Sequence, residues 1–132
     1  MKYLLSACLL FCLAIGICAQ TKQQPIPEIE NLLAKKMYKE AYHLSKNRFN
    51  QLLRNGNPDT LSFYVDYLAS CTKKLKSAKA AEEELTLLLE SVKNTFPFSK
   101  DLPDFYLTVA EYFSMEGNHT KAYNVLNEVL LS

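Results

Sequence analysis

Residues 102–131 read LPDFYLTVAEYFSMEGNHTKAYNVLNEVLL, and apolar side chains recur there every three or four positions on both sides of Gly117. That spacing predicts two helices, because residues three and four apart share one face of a helix. Pro103 can open the first helix without losing a hydrogen bond, and Gly117 can adopt the left-handed conformation that ends it. We therefore predict a helical hairpin. Its first helix is expected to bury Tyr106, Val109, Ala110 and Phe113. The apolar stripe of its second helix comprises Ala122, Val125, Leu126, Val129 and Leu130.

Helical spacing continues upstream of this hairpin as far as Glu28. Gly56 is expected to end one of the upstream helices in a left-handed conformation. Ser77, within the lysine-rich segment at residues 73–80, is the expected N-terminal cap of another. The predicted helices cover about residues 28–36, 37–54, 59–72, 78–94, 103–116 and 118–131.

Two connecting segments carry further expectations. Asn57 or Asp59 is expected to cap the helix that begins near residue 59, since both side chains can accept a hydrogen bond from a backbone N–H. Residues 95–102 form the longest connector, and Phe96 and Phe98 within it are expected to tuck under the helices. In the final hairpin, Asn118 or Thr120 is the expected cap of the last helix.

Small residues recur at a regular interval along the chain. Ala110 and Ala122 are twelve residues apart, and so are Ala69 and Ala81. Ala41 lies 40 residues before Ala81, within the degraded first copy Tyr38-x-x-Ala41-x-x-x-Ser45. Two helices can cross closely where both carry a small side chain, so this interval predicts repeated helical hairpins.

The pattern Tyr106-x-x-Val109-Ala110-x-x-Phe113, followed by Gly117 and Ala122, resembles the tetratricopeptide repeat. That resemblance implies an all-α fold for residues 28–132, a right-handed array of antiparallel helical hairpins with about three repeats. The interval of 40 and 41 residues exceeds the family period of about 34, which the longer connectors explain. A generic array of helical hairpins is the alternative interpretation. Repeats of this kind are expected to hold a peptide or a partner domain on a concave surface.

The first 19 residues have the layout of a secretory signal peptide, with Lys2, an apolar run at residues 3–19 and a small residue before Gln20. Residues 20–27, QTKQQPIP, are predicted to be a linker. The mature protein is therefore expected in the periplasm or outside the cell. The alternatives are a membrane anchor formed by residues 3–19 and a lipid attached to Cys8 or Cys18.

Removal of this leader changes the charge and the cysteine count. The whole chain has 15 Lys and Arg against 14 Asp and Glu, and loss of Lys2 makes the remainder formally neutral. That balance gives no support for a nucleic-acid partner. Cys71 is the one cysteine beyond the leader, so we expect no intramolecular disulfide.

No recognisable catalytic or metal-binding motif occurs in the sequence, so we predict no enzymatic activity, no cofactor and no metal. Cys71 with His43 or His119 as base is the thiol-enzyme alternative, and a buried structural thiol is the expected case. Glu82–Glu84 point in different directions on a helix and are expected to be solvated. The lysines at positions 73, 74, 76 and 79 are expected to pair with those glutamates. Asn118-His119-Thr120 is a formal glycosylation sequon.

The expected function is binding of a protein or peptide, alone or as the front portion of a larger signalling or assembly protein. The resemblance implies that the first helix of each hairpin lines the binding surface, where aromatic side chains would contact the partner. The candidates are Tyr64, Tyr67, Phe105, Tyr106 and Tyr112, with a core role as the alternative. The last helix is expected to expose an apolar face, through which the chain would continue or self-associate. That face comprises Val125, Val129 and Leu130.

Overall fold

A computed structural model describes residues 25–98 and 102–131 of the chain, and these residues are helical apart from the turns. No strand occurs in that part of the chain, so the prediction of an all-α fold is confirmed. The predicted leader, the linker residues 20–24 and part of the long connector lie outside the described residues. The helices are α1 Pro27–Ala34, α2 Tyr38–Arg54, α3 Leu61–Leu75, α4 Ala78–Thr95, α5 Pro103–Met115 and α6 His119–Leu131.

Local signals in the sequence end and begin several helices as predicted. Gly56 and Gly117 have left-handed backbone conformations, with φ of 66° and 84°. Ser77 caps α4, since its Oγ accepts a hydrogen bond from the Ala80 N–H at 3.1 Å. Asn118 caps α6 in the same way, accepting from the Lys121 N–H at 3.2 Å.

The predicted cap of α3 is wrong. This helix begins at Leu61, and Thr60 precedes it without a side-chain capping bond. The Asn57 side chain instead accepts a hydrogen bond from the Asp59 N–H at 3.3 Å, within the preceding loop. An asparagine that stabilises a turn in this way is not available to a helix end, which explains the later start of α3.

Helix α3 lies at the centre of the described fold. It packs against α2 and α4, its neighbours in the chain, and also against α5. Helix α1 packs on α2, and α5 packs on α6. Each helix therefore packs against at least one helix that is adjacent to it in the chain. Helix α3 also connects α2 with α5, because it packs against both.

Ion pairs connect helices that are two apart in the chain. Lys46 Nζ of α2 lies 2.8 Å from Glu84 of α4, and Lys73 Nζ of α3 lies 2.6 Å from Glu116, at the end of α5. The expected pairing of Lys73 with Glu82–Glu84 is therefore wrong, because the partners come from other hairpins. Glu82 and Glu84 are also half-buried rather than solvated, while Glu83 is exposed. Pairs this accessible contribute at most about 1 kcal/mol each.

The buried side chains form one large cluster and one small one. The large cluster extends from Phe49 of α2 to Val125 of α6. The small cluster contains Ile29, Ala41 and Cys71, from α1, α2 and α3. Each of the small residues that set the repeat interval is buried, namely Ala41, Ala69, Ala81, Ala110 and Ala122.

One expectation about a buried apolar residue is wrong. Phe96 packs against the large cluster as expected, but Phe98 is 61% exposed. Within the apolar stripe of α6, Leu126 and Leu130 are 37% and 80% exposed. Helix α6 packs mainly on α5, so only the side of the stripe that includes Ala122 and Val125 is covered.

Candidate partner-binding site

The aromatic residues predicted to bind a partner divide into two groups. Phe105, Tyr106 and Tyr112 of α5 are buried, with exposed fractions of 1%, 0% and 6%. Their expected exposure is wrong, because α3, α4 and α6 all contact α5 and these residues lie on its buried side. Tyr64 and Tyr67 of α3 are half-buried and reach the surface.

The buried tyrosines of α5 also differ in their chemistry from surface tyrosines. The hydroxyls of Tyr106 and Tyr112 have no hydrogen-bond partner among the described residues. Burial raises the pKa of Tyr112 to about 12, with the Glu116 carboxylate adding to the rise. Both side chains therefore serve the core as neutral, bulky groups, and neither presents a ring to a partner.

A surface cavity of about 240 Å³ lies between α1 and α3, beside Tyr67. Helix α3 contributes one face to it, since positions 63, 66, 67 and 70 are three, four and seven residues apart. Helix α1 contributes Glu30 and Leu33, which are three residues apart. The lining residues are Pro25, Glu30, Leu33, Phe63, Asp66, Tyr67 and Ser70.

Tyr67 is fixed in place at the wall of this cavity. Its hydroxyl donates a hydrogen bond to Glu30 Oε1 at 2.8 Å and accepts one from the Ile26 N–H at 2.9 Å. Burial raises the pKa of Tyr67 to about 12, and the Glu30 carboxylate adds to the rise. The ring is therefore neutral and already ordered, so a ligand that contacts it need not immobilise it.

The described residues of the cavity lining include two acids. Glu30 and Asp66 carry carboxylates, and none of the other described lining residues is a lysine or an arginine. The rings of Phe63 and Tyr67 supply two aromatic surfaces beside those carboxylates. Sequence reasoning identified Tyr67 but missed Phe63, Asp66 and Glu30. The spacing of Phe63, Asp66 and Ser70 on α3 was the available signal, whereas the arrival of Glu30 depends on how α1 packs.

A second groove lies among α2, the end of α3 and α4, with a volume of about 320 Å³. Leu75 and Leu87 on its walls are 47% and 56% exposed. Its rim carries both lysines and glutamates, so its charge does not select a ligand of one sign. Within the groove, the Tyr42 hydroxyl donates to Glu84 at 3.0 Å, and burial with this carboxylate raises the pKa of Tyr42 to about 12.

The prediction of an exposed apolar face on α6 is partly wrong, because two of its three residues are not exposed. Val125 is 6% exposed and belongs to the large cluster, and Val129 is half-buried against the same cluster. Leu130 is exposed as expected. The exposed apolar stripe consists of Tyr123, Leu126 and Leu130, at spacings of three and four residues.

Cys71 lies in the small cluster with an exposed fraction of 0%. Burial raises the pKa of its thiol from 9.0 to about 11, which disfavours the thiolate that a nucleophile requires. Within residues 25–98 and 102–131, no group of three or more His, Cys, Asp or Glu side chains could hold a metal ion. No helix in the same ranges has the length and apolarity to cross a bilayer.

No family model, curated protein or solved structure matches this chain. The resemblance to the tetratricopeptide repeat therefore stays a prediction. The cavity between α1 and α3, with its fixed Tyr67 and its two carboxylates, is the strongest candidate site among the described residues.

Proposed function

We propose that this chain is a non-catalytic, exported helical-repeat scaffold that binds a protein or peptide partner. The observation that supports this proposal most directly is the preformed cavity between α1 and α3. It places half-buried aromatic rings beside two carboxylates at the surface. Aromatic side chains that are ordered before binding are favourable anchors for a protein partner. A cavity of this size suits one side chain of a partner.

The pairing of helices supports a tetratricopeptide-like arrangement. In this interpretation α1/α2, α3/α4 and α5/α6 are three antiparallel hairpins, and α3 and α5 are the first helices of adjacent hairpins. The packing of α3 on α5 is the contact that stacked hairpins require. The cavity then lies on the side of the stack formed by the first helices, where the family resemblance predicts the binding surface.

Site-specific photocrosslinking in the native cell tests the scaffold proposal. A benzophenone amino acid at Ser70, which is exposed and lines the cavity, should crosslink to one discrete protein. The matched control places the same amino acid at Glu90, which is exposed on α4 and lines none of the cavities described above. Equal crosslinking at both positions, or none at Ser70, would contradict the proposal.

Export is the second part of the proposal, and it depends on residues 1–19. Cleavage after Ala19 would give a mature protein that begins at Gln20. N-terminal sequencing of protein recovered from the periplasm or the medium should find that residue. A chain that retains Met1 in the membrane fraction would instead support the anchored alternative.

Self-association through α6 is a second candidate function, favoured by the exposed stripe of Tyr123, Leu126 and Leu130. Light scattering of the purified protein at increasing concentration should then show a dimer or a larger species. Leu130→Lys should shift it toward monomer, while Thr120→Lys, at an exposed position of the same helix, should not. A mass that stays monomeric at high concentration would remove this candidate.

A further inference from the structure

We propose that one end of the molecule docks on the surface of an anionic phospholipid membrane. Such docking goes beyond the proposed scaffold function and does not depend on it. The turns that join α1 to α2, α3 to α4 and α5 to α6 form this end, which we call the turn face. It comprises residues 35–40, 73–80 and 115–121.

Side chains place the three turns of the turn face beside one another. Lys73 Nζ, near the end of α3, lies 2.6 Å from Glu116, in the turn between α5 and α6. Lys39 at the start of α2 and Lys76 in the turn after α3 line the same groove. The three turns are therefore neighbours at one end of the molecule.

The turn face is strongly basic. Its three segments contain eight lysines and two glutamates. Lys73 and Lys121 pair with Glu116 and Glu82, whereas the other six lysines form no ion pair with a described residue. These six exposed lysines are Lys35, Lys36, Lys39, Lys74, Lys76 and Lys79. A cluster of this kind is attracted to an anionic membrane surface.

The rest of the sequence does not neutralise this charge. Outside the described ranges, Asp101 is the one acidic side chain, whereas Lys2, Lys22 and Lys100 are basic. Asp101 is joined to Leu102, which precedes α5. The turn face lies at the other end of that helix, about 20 Å away at a rise of about 1.5 Å per residue. The turn face therefore keeps its positive charge.

Each turn also exposes one large apolar side chain beside these lysines. Met37, which precedes α2, is 38% exposed, while Leu75 and Met115, the last residues of α3 and α5, are 47% and 82% exposed. Apolar side chains flanked by lysines are typical of surfaces that bind at the membrane interface. The apolar groups enter the boundary of the acyl chains, and the lysine ammonium groups remain among the phosphates.

Lys36 has a backbone conformation that lysine rarely adopts. Its φ of 58° lies in the left-handed region, as do the φ values of Gly56 and Gly117 at the ends of two other helices. Glycine is the usual residue at such a position, because a side chain is strained there. Strain of this kind is characteristic of functional positions, which supports a role for the Lys36 side chain in binding.

The distribution of the apolar residues favours a membrane over an acidic protein segment. The groove at α2, α3 and α4 adjoins the turn face, but Glu83 and Glu84 on its walls disfavour an acidic peptide there. Met37 and Met115 lie outside that groove, at two different turns. A broad anionic surface reaches both of them together with the lysines.

A single tryptophan tests the contact, since the chain has no tryptophan of its own. Met115→Trp should show blue-shifted emission with phosphatidylglycerol vesicles and should be quenched when their acyl chains are brominated. Phosphatidylcholine vesicles should give no such response. Leu131→Trp is the matched control, because Leu131 is also 82% exposed but lies at the far end of α6. The same response with both lipids, or equal quenching of both variants, would overturn the proposal.

Paired lysine variants test the charge by vesicle co-sedimentation. Lys74→Gln combined with Lys76→Gln should weaken binding to phosphatidylglycerol vesicles about tenfold. The control is Arg54→Gln combined with Lys93→Gln, which removes the same charge near the opposite ends of α2 and α4. Residues 1–24 are identical in all variants, so their own contribution cancels. Equal losses in the two pairs, or no loss in either, would contradict the proposal.

Lys36→Gly separates membrane binding from folding. Glycine relieves the backbone strain, so the urea midpoint should not fall, while binding to phosphatidylglycerol vesicles should weaken about fivefold. Unchanged binding would contradict the role assigned to Lys36.

The outcomes also distinguish a membrane from a protein partner. If a polyglutamate peptide shifts the emission of Met115→Trp and vesicles do not, the turn face binds an acidic protein segment and the membrane proposal fails. The scaffold proposal would stand in that case, since it is tested by crosslinking at Ser70. If vesicles bind as expected and Ser70 crosslinks to no protein, the scaffold proposal fails and membrane docking stands.

Discussion

At the scale of single residues, Cys71 shows most directly how burial changes chemistry. Its thiol is fully buried, and the pKa rises from 9.0 in an exposed thiol to about 11. The folded state therefore binds the thiol proton more tightly than the unfolded chain does. As a result, Cys71 makes its full contribution to the free energy of unfolding below pH 9. The contribution is lost as the pH rises from 9 through about 11.

We predict that the wild type loses about 2 kcal/mol more unfolding free energy than Cys71→Ala between roughly pH 8 and pH 11. The comparison cancels the tyrosines with raised pKa values, since both proteins contain them. Urea unfolding at the two pH values measures the difference. An identical alkaline loss in both proteins would show that the Cys71 thiol does not contribute to the pH dependence.

The same burial predicts that Cys71 is inert in the folded protein. Iodoacetamide at about pH 8 should leave native Cys71 unmodified over hours and should modify it quickly in urea, because alkylation needs an accessible thiolate. Mass spectrometry of the protein measures the fraction modified. Rapid alkylation of the native state would revive the thiol-enzyme alternative with His43 or His119.

At the scale of a helix, the cap of α4 is set by one serine. Ser77→Ala removes the hydrogen bond to the Ala80 N–H and should lower stability by about 1 kcal/mol. Ser77→Asp should preserve stability, since aspartate is an equally good cap. Ser91→Ala is the control, because Ser91 is exposed within the same helix and alanine is the stronger helix former. Urea unfolding midpoints of the three variants test these expectations.

Close contact between helices depends on the small residues of the repeat. Ala69 and Ala81 are fully buried on adjacent helices, α3 and α4. We predict that Ala81→Leu destabilises the protein by about 1–3 kcal/mol, because the added volume must push the helices apart. Ala34→Leu, at an exposed position near the end of α1, should change stability by less than about 0.5 kcal/mol. If Ala81→Leu leaves the free energy of unfolding unchanged, the contact between α3 and α4 is loosely packed.

Helix limits were largely predictable because their causes are local. Gly56, Gly117 and Ser77 act through the backbone of their own turns. The cap of α3 was not predictable, because the side chain of Asn57 can either cap a helix or stabilise a turn. In the structure it accepts a hydrogen bond within the loop.

The exposure of aromatic residues was less predictable because it depends on helices far away in the chain. Phe105 and Tyr112 are seven residues apart on α5 and lie on the same side of its predicted stripe, and both are buried in a helix that three other helices contact. At the cavity, Tyr67 was predictable as a surface aromatic. Its bond to Glu30 joins residues 37 positions apart, and periodicity within either helix does not reveal that pairing.

At the scale of the whole molecule, the two buried clusters predict unequal stability along the chain. The large cluster links α2, α3, α4, α5 and α6, so these helices should unfold together. Helix α1 is eight residues long and has one fully buried side chain, Ile29, in the small cluster. Its opening exposes little apolar surface, so α1 should open locally while the remaining helices stay folded.

Hydrogen exchange measured by mass spectrometry tests this division, because it reports protection for each helix separately. In the wild type, the amides of α1 should exchange faster than those of α3 and α5. Ile29→Ala should speed the exchange of α1 by about thirtyfold or more, from the loss of a buried side chain, and leave α5 unchanged. Val109→Ala, within the large cluster, should instead speed exchange in α3 and α5 alike. If Ile29→Ala lowers the protection of α5 as much as that of α1, the chain opens as one unit. The cavity between α1 and α3 would then form and disappear only with global unfolding.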